Sequence, residues 1–345
     1  MPDHMKTPQP EAALLAQVDG LARRLVQGHS PAAGGFEQVE PVRDTLAGPV
    51  GDVALCYARG ATWHARTGRM VMADGSVPVS LSGTPGRKDR PGPTLRLKRG
   101  AVWLGPGARA NYGHFLFDAM TGLAELDRLG LSKRFTPFTP GLTRWQRDLL
   151  GAAGLTAGPA FRANKVQFDE VIWMTSMNHY LHRNDGLVRH LVARFVRPTG
   201  GDDVLYLSRH GYSGRIMVNE PALERALVAR GVRILHPQRM SVPAQIAAMG
   251  QARAVIGPSG AALANLCFLA PGADVVELRP EPVHEPWLDM ACANLGMTQH
   301  VLATPQTDDV PIPAQLAQVP RKLAGRYNYA YRVDIGAVLA VLDGL

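Results

Sequence analysis

What this chain has little of narrows its class before any motif is read. Its 345 residues include 3 cysteines, Cys56, Cys267 and Cys292, an odd and widely spaced set. Such a set excludes a disulfide framework and a CxxC metal clip, and suits a reducing compartment. Cys267 lies in the apolar run Leu266-Cys267-Phe268-Leu269, where a buried thiol is expected. No apolar run approaches the roughly 18 residues of a membrane-spanning helix. The opening stretch, MPDHMKTPQPEAALLAQVDGLARRL, lacks the apolar centre of a secretory signal. A cytoplasmic protein is therefore expected, its basic charge compatible with peripheral contact at the inner face of a membrane. Aromatics make up 6% and do not interleave with Lys and Arg. Nor is there a block of about five basic residues, so nucleic acid is not an expected partner.

Hydrophobic residues, by contrast, reach 46% against 19% charged, enough for a sizeable core. The 36 glycines and 27 prolines are scattered between apolar runs as loop punctuation. Two medium domains fit the length better than one. The formal charge of +8 suits anionic ligands such as sugar nucleotides or lipid phosphates, though a plain basic surface has the same signature.

Along the chain, residues 11–27 show helical spacing, and 50–57, 61–65 and 69–73 read as short strands closed by the turn Asp74-Gly75. Residues 82–93 form a polar Gly/Pro loop. Helices are predicted over 112–129, 143–153 and 181–196, with strands at 101–104 and 166–174. Pro198-Thr199-Gly200-Gly201 marks a domain boundary. Beyond it strands (204–207, 232–235, 254–257, 274–278, 299–303) alternate with helices (220–230, 242–250, 260–268, 286–295), and a last helix covers 333–344. That alternation predicts βαβ crossovers and a parallel, doubly wound sheet.

Three segments could carry chemistry. In the first, a buried strand enters Gly257-Pro258-Ser259-Gly260 and a helix of small residues follows. Such a turn sits at the carboxyl end of a parallel strand, where open α/β folds bind ligands. The first amides of the helix are without internal partners, and Gly260, Ala261 and Ala262 would let a diphosphate approach them. The next strand is expected to end at Glu277, where a carboxylate could take ribose hydroxyls. A tight βα turn packed on its sheet explains the same residues. In the second segment, Asn111-Tyr112-Gly113-His114-Phe115-Leu116-Phe117-Asp118, Asn111 is a cap and His114 falls in the first helical turn. Asp118, four residues on, shares its face, giving a His–Asp pair suited to accepting a proton. A capping network is the competing explanation. In the third, Tyr206-Leu207-Ser208-Arg209, a strand delivers Arg209, and then Arg215, to the ligand edge, where planar guanidinium forks suit phosphate. Asn219 is expected to cap the following helix. His179, His182 and Asp185 lack a fourth partner, and Asp202-Asp203 precedes its strand, so no metal site is expected.

Together these segments resemble glycosyltransferase family 61. The likeness runs through Asn111–Asp118, Tyr206–Arg209 and Ile256–Leu278, in that order, and covers about residues 100–300. It implies a GT-B architecture, α/β with two Rossmann-like domains whose parallel sheets face a central cleft. On that basis residues 1–198 are the acceptor-side α/β domain and 199–325 the nucleotide-sugar domain. Residues 326–345 are a C-terminal helix packing back toward the first. The resemblance further implies inverting transfer from a nucleotide sugar, usually UDP-linked, to a hydroxyl of a glycan or lipid-linked saccharide, with no metal or other cofactor. Arg209, Arg215, Gly257, Ser259, Gly260, Ala261 and Glu277 would hold the donor. His114 and Asp118 would catalyse, with Asn111, Tyr112 and Asn265 in support. Many relatives carry His where this chain has Ser259. That departure keeps open a non-catalytic protein that binds a sugar nucleotide or glycan during polysaccharide assembly. A different GT-B enzyme, such as a polysaccharide pyruvyl transferase, is a further alternative.

Overall fold

A computed structural model describes residues 55–75, 77, 88–89, 91–105, 107–139, 141–174, 185–196, 200–211, 215–281, 286–305 and 330–345. The helix expected over 11–27, most of the 82–93 loop, and His179 and His182 lie outside the described residues. The chain forms two compact units, Met1–Phe195 and Val196–Leu345.

In the first unit, strands β1 (Leu55–His64), β2 (Arg69–Val71), β3 (Thr94–Val102), β4 (Thr136–Phe138) and β5 (Lys165–Met174) form one sheet, ordered β2-β1-β5-β3-β4. The parallel sheet expected here is corrected: β1 runs antiparallel to both β2 and β5, while β3 is parallel to β5 and β4. A short turn joins β1 to β2 and permits a hairpin, whereas helical crossovers separate β3, β4 and β5 and permit parallel pairing. The two strands read from 50–65 are one, because the pairing with β5 keeps its register across Gly60, a glycine that accommodates a left-handed φ of +67°. Trp63, Val102, Phe138, Val166, Phe168 and Trp173 form the core of this sheet. Every residue from Phe115 to Leu126 is buried, so the long helical segment is enclosed on all sides. Glu125 inside it is matched by Arg128, 2.6 Å away. Helix Arg144–Ala152 opens with a reciprocal capping box between Thr143 and Gln146.

In the second unit, β6 (Asp203–Leu207), β8 (Arg233–Leu235), β9 (Ala252–Pro258), β10 (Asp274–Pro280) and β11 (Thr298–Thr304) are ordered β11-β10-β9-β6-β8. All four pairings are parallel. The chain leaves β6 to β8 on one side and returns to β9 on the other, the flavodoxin-like doubly wound order. Helices Glu220–Val228, Val242–Gly250 and Trp287–Leu295 connect the strands. The segment after β9 is a 3-10 helix, Ala261–Phe268, in place of the expected α-helix. Two short strands the periodicity did not show, β7 (Ile216–Met217) and β12 (Ala330–Tyr331), pair in parallel. The C-terminal helix, Ile335–Asp343, packs within this unit. Its Val338 and Leu342 join Tyr206, Leu223, Ile256 and Val276 in one core, where packing toward the first domain was expected. Asn219 does not cap its helix; its amide donates to the Val333 carbonyl (2.8 Å) and accepts from the Val333 N–H (3.1 Å). No helix among the described residues is long and apolar enough to cross a membrane.

Gly100 of β3 offers a test of the first unit's packing. A Cβ there would lie 2.3 Å from Cε1 of Phe168, a ring that the core holds in place. Gly100→Ala should cost about 1–3 kcal/mol through overpacking, measured as a lower urea midpoint at unchanged m-value.

Candidate functional site

The second unit places one cluster at the carboxyl ends of β6 and β9, neighbouring strands on either side of the reversal in strand order. In open α/β sheets this crevice is where ligands bind. Leu207 closes β6 and Arg209 follows it. The backbone of Arg209 is fixed by Glu220, whose carboxylate oxygen accepts from the Arg209 N–H at 2.7 Å and from the Tyr206 hydroxyl at 2.9 Å. Burial pushes the Glu220 carboxyl up from its ordinary range, against the lowering effect of those two donors. Burial and the nearby Glu220 charge likewise hold the Tyr206 hydroxyl well above its usual value, so it stays a donor. Sequence reasoning missed this clamp, since a glutamate opening a helix reads as a partner for the helix dipole.

From that anchor Arg209 reaches the glycine after β9. A Cβ on Gly260 would sit 2.5 Å from Nη1 of Arg209 and 3.7 Å from Nη2 of Arg215, so both guanidiniums converge on this bare backbone. Arg215 holds φ +52°, the one positive value among described non-glycine residues. Such a conformation costs energy and often accompanies a functional constraint. The first bond of the 3-10 helix runs from the Leu263 N–H to the Gly260 carbonyl (3.0 Å), so the amides of Gly260, Ala261 and Ala262 precede the helical ladder. Arg209, Arg215, Gly260 and Ala261 are thus brought together.

Other residues of this segment have different duties. The Ser259 N–H donates to the Leu278 carbonyl at 3.0 Å, so it belongs to the sheet and leaves the set of amides expected to face phosphate. Gly257 is buried; a Cβ there would come within 3.2 Å of Leu263, so its bare backbone permits close packing. The strand expected to end at Glu277 continues to Pro280, which leaves this carboxylate mid-strand opposite Gly257. Glu277 accepts from the Ser259 hydroxyl, from Arg279 Nε at 2.9 Å and from Gln299 Nε2 at 3.2 Å. Arg279 also pairs with Asp289. The Glu277 side chain is 5% exposed, so it acts on the turn through Ser259. Asn265 is buried and donates to Gln245 at 3.0 Å, which ties the 3-10 helix to helix Val242–Gly250. All three cysteines are buried, and burial pushes the Cys56 and Cys292 thiols up to about 12, so neither is a nucleophile near neutral pH.

The first unit carries the second cluster. Asn111 caps the turn Tyr112–His114 by accepting from the His114 N–H at 3.1 Å. A π-helical turn, Phe115–Ala119, follows and carries Asp118 before the α-helix Met120–Arg128 resumes. Turns of this kind recur at functional sites. His114 Nδ1 and Asp118 Oδ2 are 2.7 Å apart. An ionised carboxylate only accepts, so Nδ1 carries the proton and Nε2 holds the lone pair. The imidazole is 45% exposed and its carboxylate 6%, which suits a base presented to a ligand and a hidden orienting group. Behind them Tyr112 and Phe115 pack on Trp145, at 5.5 and 5.2 Å between centroids. Tyr112 therefore supports the turn.

The clamp at Glu220 makes a prediction with a definite sign. Glu220→Ala should destabilise the chain by about 1–3 kcal/mol, because the buried Tyr206 hydroxyl loses its acceptor. Glu220→Gln keeps an acceptor and should be milder. A carboxyl whose folded pKa is raised contributes stability that is complete below its unfolded pKa and is lost as pH rises through the folded value. Urea unfolding from acidic to neutral pH should therefore show Glu220→Gln gaining on the wild type as pH increases. A constant difference would contradict the raised carboxyl.

Comparison with known proteins agrees with this geometry. The family model described as Glycosyltransferase 61 matches residues 112–276, from Tyr112 through His114, Asp118, Arg209 and Gly260 to the middle of β10. No curated protein matches the chain. The matched stretch spans both clusters, and this region of the chain is a glycosyltransferase family 61 domain.

Proposed function

We propose that this glycosyltransferase is an inverting, metal-independent enzyme that moves a sugar from a UDP-linked donor to a hydroxyl of a glycan or lipid-linked saccharide. The observation that carries the reading is the convergence of Arg209 and Arg215 on Gly260, at the switch point of a doubly wound sheet. Two guanidinium forks beside unladdered helix amides make a counter-charge for a diphosphate. Glu220 fixes the backbone that carries the first fork, and Glu277 steadies the turn through Ser259.

His114 is the base. Its Nε2 takes the proton of the acceptor hydroxyl, and the freed oxygen attacks the anomeric carbon from the face opposite the nucleotide. The bond from that carbon to the diphosphate oxygen breaks, and the electron pair leaves with the nucleotide. Asp118 stabilises the imidazolium that results. The arginines and helix amides offset the charge growing on the diphosphate, a task a metal performs in other transferases. One displacement needs one base, and the reading uses one.

Loss of the imidazole in His114→Ala should reduce turnover by about a hundred- to ten-thousand-fold while UDP still binds. Wild-type turnover in that variant would remove His114 from the mechanism. Arg209→Ala should weaken UDP binding by about tenfold or more, read by calorimetry. Chelation by EDTA should leave turnover unchanged. UDP binding without donor hydrolysis or transfer would favour the non-catalytic reading instead.

A further inference from the structure

The first unit contains a cavity of about 610 Å³ that the proposed chemistry has not used. Its size falls within the roughly 300–1,000 Å³ of small-molecule pockets. Three arginines, Arg66, Arg109 and Arg162, line it, and no carboxylate is among the described lining residues. We infer that this pocket binds an anionic saccharide, a sugar bearing a phosphate or carboxylate oxyanion.

The wall is firmly built. Arg109 donates to the Ala65 carbonyl, and Gln146 Nε2 donates to the Arg109 carbonyl at 3.2 Å. Gln146 is itself held by the Thr143 cap, and Asn164 Nδ2 donates to the Pro91 carbonyl at 3.0 Å. These bonds fix the side-chain amides of the wall, and its charge comes from the guanidiniums. A guanidinium presents its donors in a planar fork that matches an oxyanion. Arg66 and Arg162 are exposed, so the charge of the pocket is accessible from solvent. Phe161 stacks on Phe138 at 5.5 Å and adds a rigid apolar surface of the kind against which a sugar ring packs.

The pocket shares its mounting with the base. Arg109 closes the 3-10 turn Gly107–Arg109, just ahead of the Asn111 cap and His114. Gln146 is next to Trp145, which packs on Tyr112 and Phe115. An anion gripped by the arginines is therefore gripped by the elements that hold the imidazole. Its identity as the acceptor rests on the glycosyl-transfer reading; its binding does not. The acceptor class is then an acidic saccharide, with a sugar phosphate or a uronic acid as the two sources of charge.

The test is an NMR titration of the full chain with glucose 1-phosphate, glucuronate, glucose and inorganic phosphate, run with saturating UDP so that the second unit's arginines are occupied. Glucose 1-phosphate or glucuronate should bind at least tenfold more tightly than glucose, and the tighter of the two identifies the source of the charge. Arg162→Ala should weaken that binding about tenfold and Arg162→Glu more, while UDP binding stays unchanged. No preference for the charged sugars, or full binding in Arg162→Glu, overturns the pocket. Inorganic phosphate binding as tightly as the sugars overturns its saccharide character. Failure of UDP to bind, with sugar-anion binding intact and dependent on Arg162, counts against the donor reading and leaves the pocket standing.

Discussion

One buried carboxylate sets the geometry of the second unit. Glu220 receives the Tyr206 hydroxyl from within β6 and the Arg209 N–H from just beyond it, so the strand and its exit are fixed to one atom. The Ser208 N–H, donating to the Leu235 carbonyl at 2.8 Å, adds a second tie at the same exit. From the exit so held, Arg209 extends over Gly260, at the end of the neighbouring strand. The two donors lower what burial raises, a balance typical of a carboxylate retained for its geometry.

The first unit works on the same economy. Asn111 spends its side chain on the His114 amide, Asp118 spends its carboxylate on the His114 ring, and Trp145 packs beneath the turn. In both units the candidate ligand-facing residue is the more exposed member of a pair whose other member is buried. Orientation is thereby settled before any substrate arrives, and little entropy is left to lose on binding.

Much of this could be read from the residues because the relevant contacts are local. His114 and Asp118 are one helical turn apart, and Asn111 announces the turn with a side chain that caps. The alternation beyond residue 200 has the short period of βα units, so all five strands of the second sheet were legible. Contacts between distant residues were not. The antiparallel pairing of β1 with β5 depends on a strand far along the chain. Asn219 resembles a cap by its neighbours, yet bonds to Val333 because the C-terminal segment lies beside it. Glu277 resembled a strand end because it and Arg279 interrupt an apolar run just before Pro280, but Arg279 finds Glu277 and Asp289 as partners and the strand runs on. The 3-10 form of Ala261–Phe268 also escaped notice, since its small and apolar residues fit either helix.

The knot around Glu277 has an evolutionary consequence. Ser259, Arg279 and Gln299 share one carboxylate, and Asp289 shares Arg279 and Gln299 with it. Side chains so interlocked do not mutate independently, since removing one donor leaves charges in a buried place to re-pair. Replacing Ser259 by histidine would remove its hydroxyl donor from the Glu277 carboxylate that Arg279 and Gln299 also share. The effect of a substitution at 259 is therefore expected to depend on which side chains stand at 277, 279 and 299.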